Sequence, residues 1–195
     1  MNEKFRAQDV TMLLIDHQVG TMGWVKSLPF EEMKLNAMLM AKTASVLKIP
    51  TVLTSSMEDR AQGPLLPELQ EILPAEFAAR IQRKGVIDAM EDENFANAVM
   101  ATRRRKFIVA GVTNDVCTVH PTLTLLRLGY DVQVVADAGG SPSKLADDMA
   151  LLRMYKAGAT LTGAMQALTE LVGTWASPEG IELARETAKL RELRR

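Results

Sequence analysis

Apolar runs without polar alternation recur along this chain, and they constrain its fold more than any other feature. Strands that are covered on both faces have such runs, because neither face meets water. The predicted strands are TMLLID (11–16), TVLTSS (51–56), a weakly signalled one at 80–83, KFIVAGV (106–112), DVQVVADA (131–138) and ATLTGA (159–164). Helix-period segments separate them, so the chain is a βαβ series. Such a series predicts an α/β fold, with a mostly parallel sheet between layers of helices.

Helices are predicted where apolar residues recur at i, i+3 and i+4. These segments are 29–48, 92–103, 114–129 and 143–158. The segment 62–74 contains three prolines and is predicted to be a long irregular loop. A chain of 195 residues fits one domain, which we predict over 1–177. The pattern SPEG then begins a polar helical tail, predicted over 178–195.

The charges of the chain are nearly balanced, with 23 basic and 24 acidic residues and a formal net charge of -1. Nucleic acid and anionic membranes are therefore not predicted as partners. The basic runs RRRK (103–106) and RELRR (191–195) are interpreted as a helix end and a solvated tail. No apolar run reaches membrane-spanning length, no secretory leader pattern opens the chain, and one cysteine forms no internal disulfide. A cytoplasmic location is therefore expected.

Neither a metal nor another cofactor is predicted from the motifs. The two histidines, His17 and His120, are few for a histidine-rich site, and neither lies in an HExxH or HxH pattern. The turns that follow residues 16, 56 and 112 contain neither GxGxxG nor GxxxxGK[ST]. Nucleotide binding is therefore a weak alternative.

Polar residues follow several predicted strands, at the edge where open parallel sheets bind ligands. Asp16 follows the first strand, 55–58 the second, and Thr113 the strand that ends at Val112. Cys117, the only cysteine, lies a few residues further, in the first turn of a predicted helix. Unpaired N–H groups and the helix dipole favour thiolate there, and the same N–H groups can stabilise an oxyanion. A nucleophilic role competes with the simpler reading of a small buried hydrophobic residue.

A cysteine nucleophile needs a base and a neighbour that tunes it. Asp16 stands at the end of an apolar strand, where burial would raise its pKa and make it a plausible proton acceptor. Lys84, from the residues alone, is more simply a surface lysine. His120 lies three residues after Cys117 and is interpreted as lining the pocket or as structural, and His17 as packed.

These segments resemble a known family. LLIDHQ, RKG and AGVTNDVCTVHPTLTLLRLGYDVQVVADA are similar to sequences of the isochorismatase-like cysteine hydrolases, which include nicotinamidases and N-carbamoylsarcosine amidohydrolases. TSSMEDRAQGPLLPELQEILP and GVIDAMEDENFANAV resemble the YcaC-type hydrolases in particular. The resemblance runs from about residue 8 to 175. It implies a three-layer, Rossmann-like fold with a six-stranded parallel sheet.

The resemblance also implies a site. Its triad would be Asp16, Lys84 and Cys117, with Asp16 moving the proton and Lys84 lowering the pKa values of its neighbours. Cys117 would attack a carbonyl and form a thioester that water hydrolyses. A cis peptide bond between Val112 and Thr113 would direct the amides of Thr113 and Cys117 at the oxyanion.

Departures from the family pattern narrow the expected substrate. Nicotinamidases carry a DxH metal motif after the second strand, which is absent here, and isochorismatases proper lack the cysteine. A metal-independent hydrolase for the C–N bond of a small amide or carbamoyl compound remains. The residues predicted to bind substrate are Gln18, Met57, Val112 and His120. By the same resemblance, we expect a homo-oligomer, specifically an octamer.

Two alternatives use the same fold for something else. One is a ligand-binding or assembly scaffold whose chemistry is vestigial, because a fold does not guarantee a function. The other is a redox-sensitive thiol protein, because an exposed thiol of low pKa oxidises readily.

Overall fold

A computed structural model describes residues 4–192 of the chain. The strands are Val10–Ile15 (β1), Thr51–Ser56 (β2), Ile81–Arg83 (β3), Lys106–Gly111 (β4), Asp131–Val135 (β5) and Thr160–Thr162 (β6). They form one six-stranded sheet in the order β3-β2-β1-β4-β5-β6, and every neighbouring pair is parallel. The predicted α/β fold is confirmed, and the weakly signalled strand at 80–83 is the edge strand β3.

Helices cover both faces of this sheet. They are Val19–Gly23 (α1), Phe30–Val46 (α2), Pro67–Ile72 (α3), Pro74–Ala78 (α4), Glu93–Ala101 (α5), Val119–Arg127 (α6), Lys144–Lys156 (α7), Ala164–Val172 (α8) and Pro178–Glu192 (α9).

The structure corrects two expectations about the helices. The segment 62–74 contains α3, because two of its three prolines, Pro67 and Pro74, stand at helix starts, where the missing N–H is not needed. The helix predicted over 114–129 begins with a π-helical turn, Asn114–Thr118.

The apolar runs are explained by two hydrophobic clusters, one on each face of the sheet. Met12 and Leu14 of β1 belong to the cluster under α2 and α8, whereas Leu13 and Ile15 belong to the cluster under α5 and α6. Successive side chains of a strand point to opposite faces, so a strand buried on both faces has no polar position.

The C-terminal helix α9 packs on α2, and its Leu183 is fully buried in the first cluster. The boundary predicted at residue 177 coincides with the start of this helix, although the division into domain and tail stays a prediction. Residues 1–3 of the predicted domain and 193–195 of the predicted tail lie outside the described residues. Within 4–192, no helix combines the length and the hydrophobicity needed to cross a membrane.

The strand order places a crevice at the centre of the sheet. The chain proceeds outward from β1 to β2 and β3 on one side, and outward from β4 to β5 and β6 on the other. At such a switch point, the loops after neighbouring strands diverge and leave room for a ligand. Asp16, which follows β1, and Thr113, which follows β4, stand at this crevice.

Candidate active site

Asp16 is held in a fixed position by its backbone. Its φ is 56°, in the left-handed region that aspartate tolerates better than most residues. The Asp16 N–H donates to the carbonyl of Thr54 at 2.9 Å, and its own carbonyl accepts from Gln18 N–H at 2.7 Å. The side chain is 1% exposed, so the carboxyl is taken out of water at the end of β1.

Arg83, the last residue of β3, is the cation that meets this carboxyl. Its Nη2 donates to Asp16 Oδ2, its Nε donates to Thr54 Oγ1 at 3.0 Å, and its Nη1 donates to the carbonyl of Val86. The Arg83 side chain is also 1% exposed. Such a pair tolerates burial because its charge is balanced and each of the three Arg83 side-chain nitrogens donates a hydrogen bond.

Lys84 lies elsewhere, which corrects its predicted placement beside Asp16. It is exposed and lines a separate surface groove with Glu58 and Arg60. β3 pairs with β2 so that Arg83 lies beside Ser56. Because neighbouring side chains in extended backbone point to opposite sides, only one of the two adjacent basic residues can face Asp16.

Cys117 stands on the π-helical turn that follows β4. The peptide bond between Val112 and Thr113 is cis. The turn is fixed by Asn114 N–H, which donates to the carbonyl of Gly140 at 2.8 Å, and by Thr118 N–H, which donates to the carbonyl of Thr113 at 3.0 Å. The Cys117 thiol lies close to the Asp16 carboxyl and to the Thr113 N–H, and both groups shift its pKa.

The electrostatics of this pair differ from the sequence expectation. Burial, and after it the nearby Asp16 carboxylate, raise the pKa of the Cys117 thiol to about 12 against the opposing effects of Arg83 and the Thr113 N–H. Burial also raises the pKa of Asp16, against the opposing effect of Arg83. The expected stabilisation of thiolate is therefore outweighed, and the resting cysteine is a protonated thiol beside its proton acceptor.

A cavity of about 260 Å³ lies beside the Cys117, Asp16 and Arg83 side chains. Asp16, Arg83, Thr113 and Cys117 line it. Most of the remaining wall is apolar and is formed by Trp24, Met57, Val86, Ile87, Val116 and Pro142. This volume and this wall suit a small molecule with an apolar body.

Of the four residues predicted to bind substrate, Met57 lines the cavity. Gln18 and Val112 are fully buried instead. The Gln18 amide accepts from Ser56 N–H at 2.8 Å and donates to the carbonyls of Ser56 and Gly63, so it joins β2 to the following loop. These contacts differ from the substrate-binding placement predicted for Gln18 and Val112.

His120 lines a different and larger hollow, of about 830 Å³, with Glu91, Arg127 and Arg153. His120 is not among the described residues that line the cavity beside Cys117, which differs from the pocket-lining placement predicted for it. His17 is packed, as predicted. Its Nε2 donates to the carbonyl of Ala138 at 2.8 Å, and burial lowers its pKa to about 4, so the ring is neutral.

Sequence reasoning missed Arg83, Thr21, Trp24 and Asp115 as cavity residues. Two of them had a usable signal, because Asp115 is two residues before Cys117 and Arg83 directly precedes Lys84. Among the residues described, no cluster of three or more His, Cys, Asp or Glu side chains could hold a metal ion.

Comparison with known proteins defines the class. The isochorismatase domain family model matches residues 10–166. The chain therefore belongs to the isochorismatase-domain family, which contains hydrolases, and the predicted family is confirmed.

The similar proteins include YcaC-type hydrolases. The probable hydrolase YcaC of Escherichia coli (strain K12) is 36% identical over 167 residues, which are 86% of this chain and 79% of that protein. A structure of Escherichia coli YcaC, described as an octameric hydrolase of unknown specificity, has a TM-score of 0.91 at 33% identity and covers 99% of this chain and 95% of that chain. YcaC from Pseudomonas aeruginosa was solved with hexane-2,5-diol and covalent acrylamide. That structure has a TM-score of 0.89 at 35% identity, and the match covers 100% of this chain and 99% of that chain.

Proposed function

We propose that this chain is a metal-independent cysteine hydrolase that cleaves the C–N bond of a small amide or carbamoyl compound. One observation carries the proposal. A buried chain of Cys117, Asp16 and Arg83 opens onto a small cavity with an apolar wall. A nucleophile, its proton acceptor and the cation that fixes the acceptor are the groups that this chemistry requires.

The first half-reaction forms a thioester. As the Cys117 sulfur attacks the substrate carbonyl carbon, the thiol proton moves to Asp16, whose Oδ1 has no hydrogen-bond partner among the described residues and is free to accept it. The negative charge passes to the carbonyl oxygen, and the Thr113 and Cys117 N–H groups stabilise it. Collapse of this adduct breaks the C–N bond, and Asp16 returns the proton to the departing amine.

The second half-reaction restores the enzyme. Water attacks the thioester carbonyl while Asp16 takes a proton from it, and the sulfur then leaves as the acid product forms. Asp16 returns that proton to Cys117, so atoms and charge balance over the cycle. Arg83 opposes the rise in the pKa of Asp16 that burial causes, and it takes the part that the family resemblance had assigned to Lys84.

A raised thiol pKa fits this scheme. Proton transfer during the attack requires an acceptor within reach of the thiol, and it does not require a standing thiolate. The covalent acrylamide in Pseudomonas aeruginosa YcaC supports the proposal, because such an adduct requires a nucleophile in that protein that a small molecule can reach. A cytoplasmic location also remains a prediction.

The test is to trap the acyl-enzyme. We expect wild-type protein, quenched in acid during turnover of a small-amide panel, to release ammonia and to gain the mass of the acyl group. Cys117→Ala should do neither, and Lys84→Ala, the matched control, should do both. Ammonia release that survives Cys117→Ala would contradict the thioester route. Binding without turnover across the whole panel would favour the scaffold alternative.

Self-assembly forms a second part of the proposal. Escherichia coli YcaC is described as octameric, and helix α7 of this chain carries exposed apolar residues at Leu145, Met149 and Leu152. Their i, i+4, i+7 spacing puts them on one face of the helix. An apolar stripe that one subunit leaves open is typical of an interface between subunits.

We expect Leu145→Asp combined with Met149→Asp to reduce the molar mass measured by size-exclusion chromatography with light scattering, from an octamer to smaller species. A charge at the centre of an apolar interface would be buried without a partner. Ile181→Asp in α9 is the control, because Ile181 is 45% exposed on another helix. A monomeric wild type, or a double variant that keeps the octamer, would contradict this prediction.

A further inference from the structure

The cavity beside Cys117 contains polar groups that the proposed reaction does not use. Asp115 and Thr21 both line it, on the π-helical turn and on α1. Asp115 Oδ1 and Thr21 Oγ1 are buried oxygens without a hydrogen-bond partner among residues 4–192. A buried oxygen that lacks a partner costs free energy, which a bound donor recovers.

The cation of the cavity, by contrast, already has a partner of opposite charge, Asp16. Of the described residues that line the cavity, Arg83 alone is positively charged. Its three side-chain nitrogens donate to Asp16, Thr54 and the carbonyl of Val86. An anionic substrate would therefore enter next to Asp115 and Asp16 without gaining a free partner of opposite charge.

We infer that the substrate of this site carries a hydrogen-bond-donating, uncharged or cationic group that Asp115 and Thr21 bind, and that substrates bearing a carboxylate are excluded. This inference rests on the proposed function, since it names the substrate class of the same site. An aspartate accepts hydrogen bonds and favours positive charge, and the threonine hydroxyl donates or accepts. The apolar wall of Trp24, Val86 and Ile87 covers the rest of a small substrate.

Charge-matched thiol reagents test this selectivity without any need for turnover. Methanethiosulfonates that carry an aminoethyl, methyl or sulfonatoethyl group transfer the corresponding alkylthio group to a thiol, forming a mixed disulfide and releasing methanesulfinate. Cys117 is the only cysteine in the chain, so intact mass measures its modification alone. Rate constants are divided by those of each reagent with free glutathione, which removes the intrinsic reactivity of the reagents.

We expect the cationic reagent to modify wild-type protein roughly tenfold faster than the anionic one after this correction. Asp115→Asn should remove most of that ratio, because it keeps the shape of the side chain and removes its charge. Asp59→Asn is the matched control, an exposed aspartate of the neighbouring groove that does not line the cavity. If Asp115 were purely structural, Asp115→Asn would not change the ratio of the cationic to the anionic modification rate. Equal corrected rates in the wild type, or equal ratios in the two variants, would overturn the inference.

Hydrolysis separates a failure of this inference from a failure of the proposed function. The substrates are primary amides with an ammonium, a methyl or a carboxylate group at the far end of the same three-methylene chain. We expect measurable ammonia release from the first two and none from the third. Thr21→Val should lower kcat/KM for the ammonium compound more than for the methyl compound, whereas Asp59→Asn should change neither. A charge preference of the reagents without turnover of any amide would contradict the hydrolase and support the cavity inference. Turnover of all three amides at equal rates would support the hydrolase and contradict the cavity inference.

Discussion

Replacing Asp16 with asparagine is expected to lower amide turnover roughly a thousandfold and, at the same time, to lower the pKa of the Cys117 thiol. The first effect removes the base that activates Cys117, whereas the second makes its thiolate form more readily. Asparagine cannot take the thiol proton, so attack on the carbonyl loses its base. Both the charge of Asp16 and its hydrogen bond raise the pKa of Cys117, so their removal lowers it. Arg83, left without its anion, lowers that pKa further.

The measurement is the rate of Cys117 alkylation by iodoacetamide as a function of pH, followed by intact mass. In the wild type, the rate should keep rising across the alkaline range, because burial raises the thiol pKa to about 12. In Asp16→Asn, the rise should shift to lower pH, and Asp59→Asn should match the wild type. An unchanged or raised thiol pKa in Asp16→Asn would contradict the geometry, and retained turnover would remove Asp16 from the mechanism.

Arg83→Met should destabilise the protein by about 3–5 kcal/mol, whereas Lys84→Met should change stability by less than about 0.5 kcal/mol. The first change leaves the buried Asp16 carboxylate without its cation, and the second removes an exposed charge. Methionine replaces two adjacent basic residues with the same apolar chain, so each variant controls the other. Turnover should fall in Arg83→Met and persist in Lys84→Met.

Urea unfolding at a fixed protein concentration gives the two free energies, and the fixed concentration keeps the contribution of subunit assembly the same for both variants. The deficit of Arg83→Met should shrink as the pH falls. Burial raises the pKa of Asp16 above its unfolded value, so the folded state binds more protons and gains stability as Asp16 protonates. Arg83 opposes this rise in the wild type, so Arg83→Met gains more stability than the wild type as the pH falls. Equal losses in the two variants would mean that the Asp16–Arg83 pair does not stabilise the fold.

These electrostatics also bear on the redox alternative. Oxidation of a cysteine follows its thiolate character and its exposure. Burial and the charge of Asp16 both oppose the thiolate of Cys117 in the resting state. The structure therefore favours a cysteine that reacts with a bound substrate next to its base over a thiol that senses oxidants.

The sequence by itself determined the sheet and two of the site residues. Strands buried on both faces need continuous apolar runs, so β1, β2, β4 and β5 could be recognised without coordinates. A residue that directly follows such a run stands at the carboxyl edge of the sheet, where open parallel sheets bind ligands, and this rule found Asp16 and the turn with Cys117. These features depend on local patterns, which a sequence carries in full.

Only the tertiary structure decided which cation meets Asp16 and which way the pKa of Cys117 moves. Arg83 and Lys84 are neighbours with the same sign of charge, and the pairing of a three-residue edge strand selects the one that faces inward. The helix start predicted a lowered thiol pKa, but burial and a carboxylate that is 101 residues away in sequence outweigh that effect. Desolvation and long-range charge pairs depend on packing between distant segments, and no local pattern encodes them.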